Sequence, residues 1–157
     1  PPAATWTLRL TFHFGPRHAP RMMTGRCLCG AVSFSAEHVE TEHHACHCGM
    51  CRRWAGGSAF LAAMCDGVSF AGDDHLGRYD SSAWASRGFC TQCGTTLFYF
   101  LKPTGTYAMS VGAFDDQEPF QLVREIFIDR KPSGYAFAGD HERWTEAETF
   151  ERLTPPA

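Results

Sequence analysis

A chain of 157 residues is long enough for one domain with a sizeable core and too short for two comfortable ones. Hydrophobic residues make up 44% and charged residues 20%, the balance of a chain that folds, and an aromatic share of 13% promises a core rich in large rings. A formal charge of -3 gives no basic field for phosphate backbones or anionic lipid, which excludes nucleic acid and membrane surfaces as primary partners, and the longest purely apolar run, Ala59 to Cys65, falls far short of a membrane span of roughly 20 residues.

The first predicted element is a half-buried edge strand. Trp6, Leu8, Leu10, Phe12 and Phe14 alternate with Thr7, Arg9, Thr11 and His13. Met22 and Met23 stand just before the first cysteine motif, so residues 1–22 are expected to form an N-terminal extension. The domain is expected to run over 23–150, with a tail over 151–157. Cys27, Cys29 and Gly30 then read as a knuckle that turns into a strand at Ala31 to Phe34. Cys48 to Ala55 carries no breaker between Gly49 and the Gly56–Gly57 pair, so a short helix begins inside the second cysteine motif. Ser58 to Cys65 predicts a buried strand, after which Gly67, Gly72 and Gly77 punctuate short strands such as Val68 to Ala71.

Past Cys90 and Cys93, Thr95 to Leu101 is dense in β-branched and aromatic residues. Pro103 and Gly105 supply a turn into Tyr107 to Val111, which makes a hairpin. Asp115 to Pro119 is a polar loop, and Leu122 to Ile128 a further strand ended by Asp129, Lys131, Pro132 and Gly134. Trp144, Ala147 and Phe150 sit at loosely helical spacing, enough for a short helix or a docked loop. The expected fold class is therefore mainly β, with little helix.

Chemistry enters through the cysteines. Seven of the eight fall into Cys27/Cys29, Cys46/Cys48/Cys51 and Cys90/Cys93. Pairs two or three residues apart present both sulfurs to one ion, because alternate strand residues share a face and a CxxC turn folds its ends together. Cys27 and Cys29 are too close to satisfy disulfide geometry with each other, so free thiols in a reducing, cytoplasmic setting are expected. Four thiolates from the outer pairs would close a tetrahedral zinc site across about sixty residues of sequence, although spacing alone does not say which pairs share an ion.

Three sulfurs from the middle motif leave the fourth position to His44, to Cys65, or to water or substrate. His43 and His47 read as lone core or surface histidines, and Cys65, within an apolar run, as a small hydrophobe. Arg52 and Arg53 stand where they could offset the charge of three thiolates, or form a solvated basic pair.

With GRCLCGAVSF (Gly25 to Phe34), CHCGMCRRWAG (Cys46 to Gly56) and FCTQCGTTLFY (Phe89 to Tyr99) in this order, the sequence resembles the glutathione-dependent formaldehyde-activating enzymes over roughly Thr24 to Trp144. The resemblance implies a zinc-clipped, mostly antiparallel β-tent fold. It also implies two Zn²⁺ sites, a structural one on Cys27, Cys29, Cys90 and Cys93 and a catalytic one on Cys46, Cys48 and Cys51. The activity it implies is a carbon-sulfur lyase reaction on a small thiol adduct, S-hydroxymethylglutathione in the founding members, with glutathione as the thiol partner. Two other functions fit the cysteine pattern: a non-enzymatic zinc-stabilised binding module, and a redox or metal-relay protein with labile thiolates.

Overall fold

The computed structural model describes residues 21–153. The alternating stretch from Trp6 to Phe14 lies outside them. In chain order the elements are β1 (Met23–Arg26), β2 (Ser33–Val39), β3 (Glu42–Cys46), α1 (Gly49–Ala55), β4 (Phe60–Ala71), β5 (Leu76–Ser82), β6 (Ala85–Cys90), β7 (Thr96–Leu101), β8 (Thr106–Ser110), β9 (Gln121–Ile126), β10 (Glu142–Trp144) and α2 (Glu146–Leu153). The main path of the sheet is β10-β9-β3-β4-β8-β7-β6-β5, with β1 and β2 attached through β4. Every pairing is antiparallel except β3 with β9 and β9 with β10. The mainly β expectation holds, and among the described residues helix is confined to two short segments and three single turns of 3-10 helix.

β4 organises the molecule. Its first half pairs with β3 and its second with β2, while residues between them also pair with β8. The sequence places a break at Gly67, but pairing with β2 continues on both sides of it (Ala36 with Val68, His38 with Asp66). A glycine at φ 59° bends the strand without ending it. The period-two alternation of β4 and β7 divides the core between two faces of the sheet. Ala63, Cys65, Phe98 and Phe100 join Phe34, Met109 and Phe114 on one side, whereas Phe60, Ala62, Met64, Tyr99 and Leu101 gather with Ile126 on the other. The first cluster carries the expected rings, including Phe98 against Tyr107 with centroids 5.0 Å apart, edge to face.

The β5–β6 hairpin is an addition to the elements legible in the sequence. β5 carries Arg78, Asp80 and two serines and fully buries none of its residues, so it lacks the apolar alternation that announces a strand. Pairing with β6 from Leu76 to Ser82 holds it in place.

Gly72 ends β4 at φ 84°, and a Cβ built there would lie 1.9 Å from the Ala31 carbonyl oxygen. Backbone cannot yield as a flexible side chain can. Gly72→Ala is therefore expected to cost about 2–3 kcal/mol, from left-handed strain plus a forced shift of the Cys27–Ala31 loop. Urea denaturation of the two proteins checks this; matched midpoints would show that the loop relaxes freely.

Candidate metal centres and their surroundings

Two tight turns bring the outer cysteines together. After β1, the Gly30 amide donates to the Cys27 carbonyl at 3.1 Å and the Cys27 amide to the Val32 carbonyl at 2.9 Å. At the end of β6 the same construction recurs: the Gly94 amide donates to the Cys90 carbonyl at 2.9 Å and the Cys90 amide to the Thr95 carbonyl at 3.0 Å. Gly30 (φ 77°) and Gly94 (φ 76°) each take the left-handed conformation that closes such a knuckle.

The sulfurs of Cys27, Cys29, Cys90 and Cys93 all lie within 4.8 Å of one another. Cys27 to Cys29 is 3.5 Å and Cys29 to Cys90 is 3.8 Å. Ligands about 2.3 Å from a tetrahedral zinc are about 3.8 Å apart, so this donor set fits that ion. The Val32 amide donates to Cys27 Sγ at 3.3 Å, and the Thr95 hydroxyl and Cys93 Sγ share a hydrogen bond at 3.1 Å. Chiefly through Thr95, the Cys93 thiol is pulled down to about 5.

The middle trio is assembled by the junction of β3 and α1. Cys46 is the last residue of β3, Cys48 caps α1, and Cys51 lies in the helix's first turn. The Cys51 amide donates to Cys48 Sγ at 3.4 Å, and the three sulfurs lie within 4.8 Å of one another. Hydrogen bonds from the Cys46 and Cys51 thiols, then from backbone amides, hold Cys48 down at about 2. Cys46 is pushed up in turn by the Cys48 and Cys51 sulfurs and by burial.

The alternatives for a fourth ligand separate cleanly. Cys65 lies on the opposite face of β4 from the cluster that holds Cys46 and Cys51, and its thiol contacts the Ala63 carbonyl at 3.4 Å. It packs as the small hydrophobe the sequence suggests. His44 shares its strand face with Cys46 but is not among the groups gathered within 4.8 Å, and neither is His43 or His47. Among the described residues, no histidine, carboxylate or further cysteine joins the trio.

His44 has a separate consequence for stability. Burial, then the Arg124 guanidinium and His43, pushes it down to about 4. The folded form refuses a proton that the unfolded chain accepts below its ordinary value near 6.5. Stability should therefore fall from about pH 6.5 to about pH 4, by at most about 1.4 kcal/mol per pH unit from this group. Urea midpoints across that window should fall less steeply for His44→Gln than for the wild type, and parallel curves would refute the assignment.

Two groups near the trio escape a reading of the sequence. Arg87 on β6 points Nη1 and Nη2 at Cys51 Sγ, 3.8 and 3.7 Å away, between the rings of Tyr99 (5.0 Å) and Trp54 (5.7 Å). The guanidinium on the sulfur is thus 36 residues away in sequence. Arg52 instead donates from Nε to the His47 carbonyl, and Arg53 is exposed. Both arginines line an open hollow of about 690 Å³ with Met50 and Gly49, Gly56 and Gly57. The one available signal for Arg87 was a charged residue three positions before Cys90, in the segment leading into CxxC.

The second group is Glu125, 1% exposed on β9, which accepts from His47 Nε2 at 2.7 Å, from His141 Nε2 and from Arg143 Nε at 3.1 Å. Burial alone would raise its carboxyl, but the His141 and His47 hydrogen bonds hold it below the usual value. His47, between two cysteines of the trio, is fully buried and pinned at its other nitrogen by the Tyr135 hydroxyl at 2.8 Å. It is a core histidine, as expected, with a defined task of holding the Cys46–Cys48 segment against β9.

Comparison with known proteins agrees with this architecture. A crystal structure of a Rhodobacter sphaeroides protein superposes with a TM-score of 0.52 at 22% identity, covering 78% of this chain and all of that one, which shows the shared fold. An uncharacterized lyase of Schizosaccharomyces pombe is 33% identical over 131 residues, covering 82% of this chain and 95% of that protein. The family model described as glutathione-dependent formaldehyde-activating enzyme matches residues 22–130, a span that holds both sulfur clusters together with Arg87 and Glu125. The chain belongs to the family of glutathione-dependent formaldehyde-activating enzymes.

Proposed function

We propose that the protein is a zinc-dependent carbon-sulfur lyase of the glutathione-dependent formaldehyde-activating type, acting on a small thiol adduct of the S-hydroxymethylglutathione kind. Its two metal sites are unequal: Cys27, Cys29, Cys90 and Cys93 form the structural one, and Cys46, Cys48 and Cys51 the catalytic one. The observation that carries this reading is that inequality, four sulfurs gathered in one cluster and three in the other. Family membership and the lyase-named relative support the reaction class. All eight cysteines are free, which suits a reducing compartment such as the cytoplasm.

Zinc, when bound by the trio, supplies Lewis acidity toward a carbonyl oxygen or a thiol. The forward reaction joins the thiol sulfur to the formaldehyde carbon and delivers the thiol proton to the carbonyl oxygen; the reverse reaction breaks that bond. The chain's own part is to hold three sulfurs rigidly. Cys48 is fixed by the α1 amide hydrogen bonds, Cys46 by its place in the sheet, and Cys51 by Arg87. Phe60, Met64 and Ile126 pack beneath and exclude water from that side.

Glutathione and formaldehyde form the adduct slowly without help, so NMR exchange rates measured with and without the zinc-loaded protein give a direct test. Faster exchange with the protein is expected. Equal rates at equal thiol and pH would remove the proposal.

A further inference from the structure

Arg87 is 3% exposed, yet among the described residues no carboxylate faces it. A buried guanidinium without an anion costs several kcal/mol, and a neutral thiol is a weak acceptor. Its fork nevertheless straddles one sulfur, Cys51 Sγ, at nearly equal distances of 3.8 and 3.7 Å. Tyr99 and Trp54 wall it in, and Trp54 is itself braced edge to face by Phe89 at 5.7 Å. Such a guanidinium is locked onto the sulfur and has no freedom to seek solvent. β6 also carries Cys90 of the outer cluster three residues later, so the strand that ends at one set of sulfurs delivers a cation to the other.

Three thiolates around a divalent cation sum to a single negative charge, which Arg87 brings to zero. An arriving thiol that binds as its anion adds a further negative charge to the same small volume, where low dielectric makes each uncompensated charge costly.

Resting on the lyase reading above, we propose that Arg87 is the positioning residue of the trio: it fixes the Cys51 sulfur and offsets the negative charge that the trio shares with an incoming anionic thiol. Arg87 acts through Cys51 and takes no proton. The ligand class it favours at the trio is a small thiolate, and its loss weakens thiol capture before it weakens metal capture.

The test uses the full chain loaded with ¹¹³Cd, a soft cation that thiolates accept, and follows both metal resonances during titration with 2-mercaptoethanol. In the wild type the thiol should move the trio's resonance and leave the outer one in place. In Arg87→Met both resonances should persist, with the thiol concentration for half-saturation raised about tenfold to a hundredfold, the scale of one lost hydrogen bond to a charged group. Arg87→Lys, which keeps the charge and loses the fork, should recover part of that affinity, a rescue that a merely space-filling role does not predict.

The outer resonance doubles as a folding control, and if Arg87→Met loses it, Arg87→Gln carries the comparison. Equal half-saturation in the wild type and a folded neutral variant overturns the inference and leaves the lyase reading intact. A trio resonance that no thiol moves even in the wild type sinks both.

Discussion

Cys46→Ser is expected to leave a folded protein that no longer accelerates adduct formation between glutathione and formaldehyde, with a loss of at least about 100-fold. The serine hydroxyl is a far poorer ligand for a thiophilic ion than the thiolate it replaces, and loss even of groups that merely support a ligand typically costs about 10–100-fold. Metal content should fall by one equivalent per chain. The fold should survive, because the second core cluster retains Phe60, Ala62, Met64 and Ile126 and the opposite face of the sheet keeps its own four sulfurs. Calorimetry and metal analysis on the same preparation separate the outcomes. Full activity in a protein short of one metal would remove the trio from the reaction.

Cys90→Ser should do the reverse and strike stability first. Cys90 is fully buried at the end of β6, and its sulfur meets Cys29 across 61 residues of sequence. A link of that span restricts the unfolded chain strongly, by about 4 kcal/mol on loop-closure arguments, and binding energy at such a site is folding energy. For a domain of this size the loss corresponds to a fall in Tm of about 10 °C. A strong chelator applied to the wild type should give a similar fall. A Cys90→Ser protein with wild-type Tm and both metals would show that the outer cluster does not clip the fold.

The clustering of the sulfurs within each motif was legible in the sequence because it is local. Cys27 with Cys29, Cys90 with Cys93 and the three sulfurs of the middle motif each converge within a few residues, as that spacing predicts, whereas the union of the two outer pairs spans 61 residues and comes from the fold. The hairpin of β7 and β8 was equally legible, since its apolar and aromatic runs flank a Pro–Gly turn. What escaped depends on register between distant strands. Arg87 meets Cys51 only because β6 lies beside β7 over the trio, and Glu125 meets His47 only because β9 pairs in parallel with β3. Neither contact has a short-range pattern to announce it. β5 escaped for another reason: its outward polar residues resemble a loop, and only its ladder to β6 makes it a strand.

The separation of the two sulfur clusters onto opposite faces of one sheet has a consequence for the life of the protein. Under the proposed reading, closure of the four-sulfur clip belongs to maturation, whereas the three-sulfur centre would be filled or stripped afterwards without dismantling its host. A lyase built this way would persist as a silent, intact reserve when zinc is scarce and recover on resupply. It would be correspondingly exposed to thiophilic intruders such as cadmium, which three sulfurs are expected to hold more tightly than zinc, stopping turnover while leaving the fold standing.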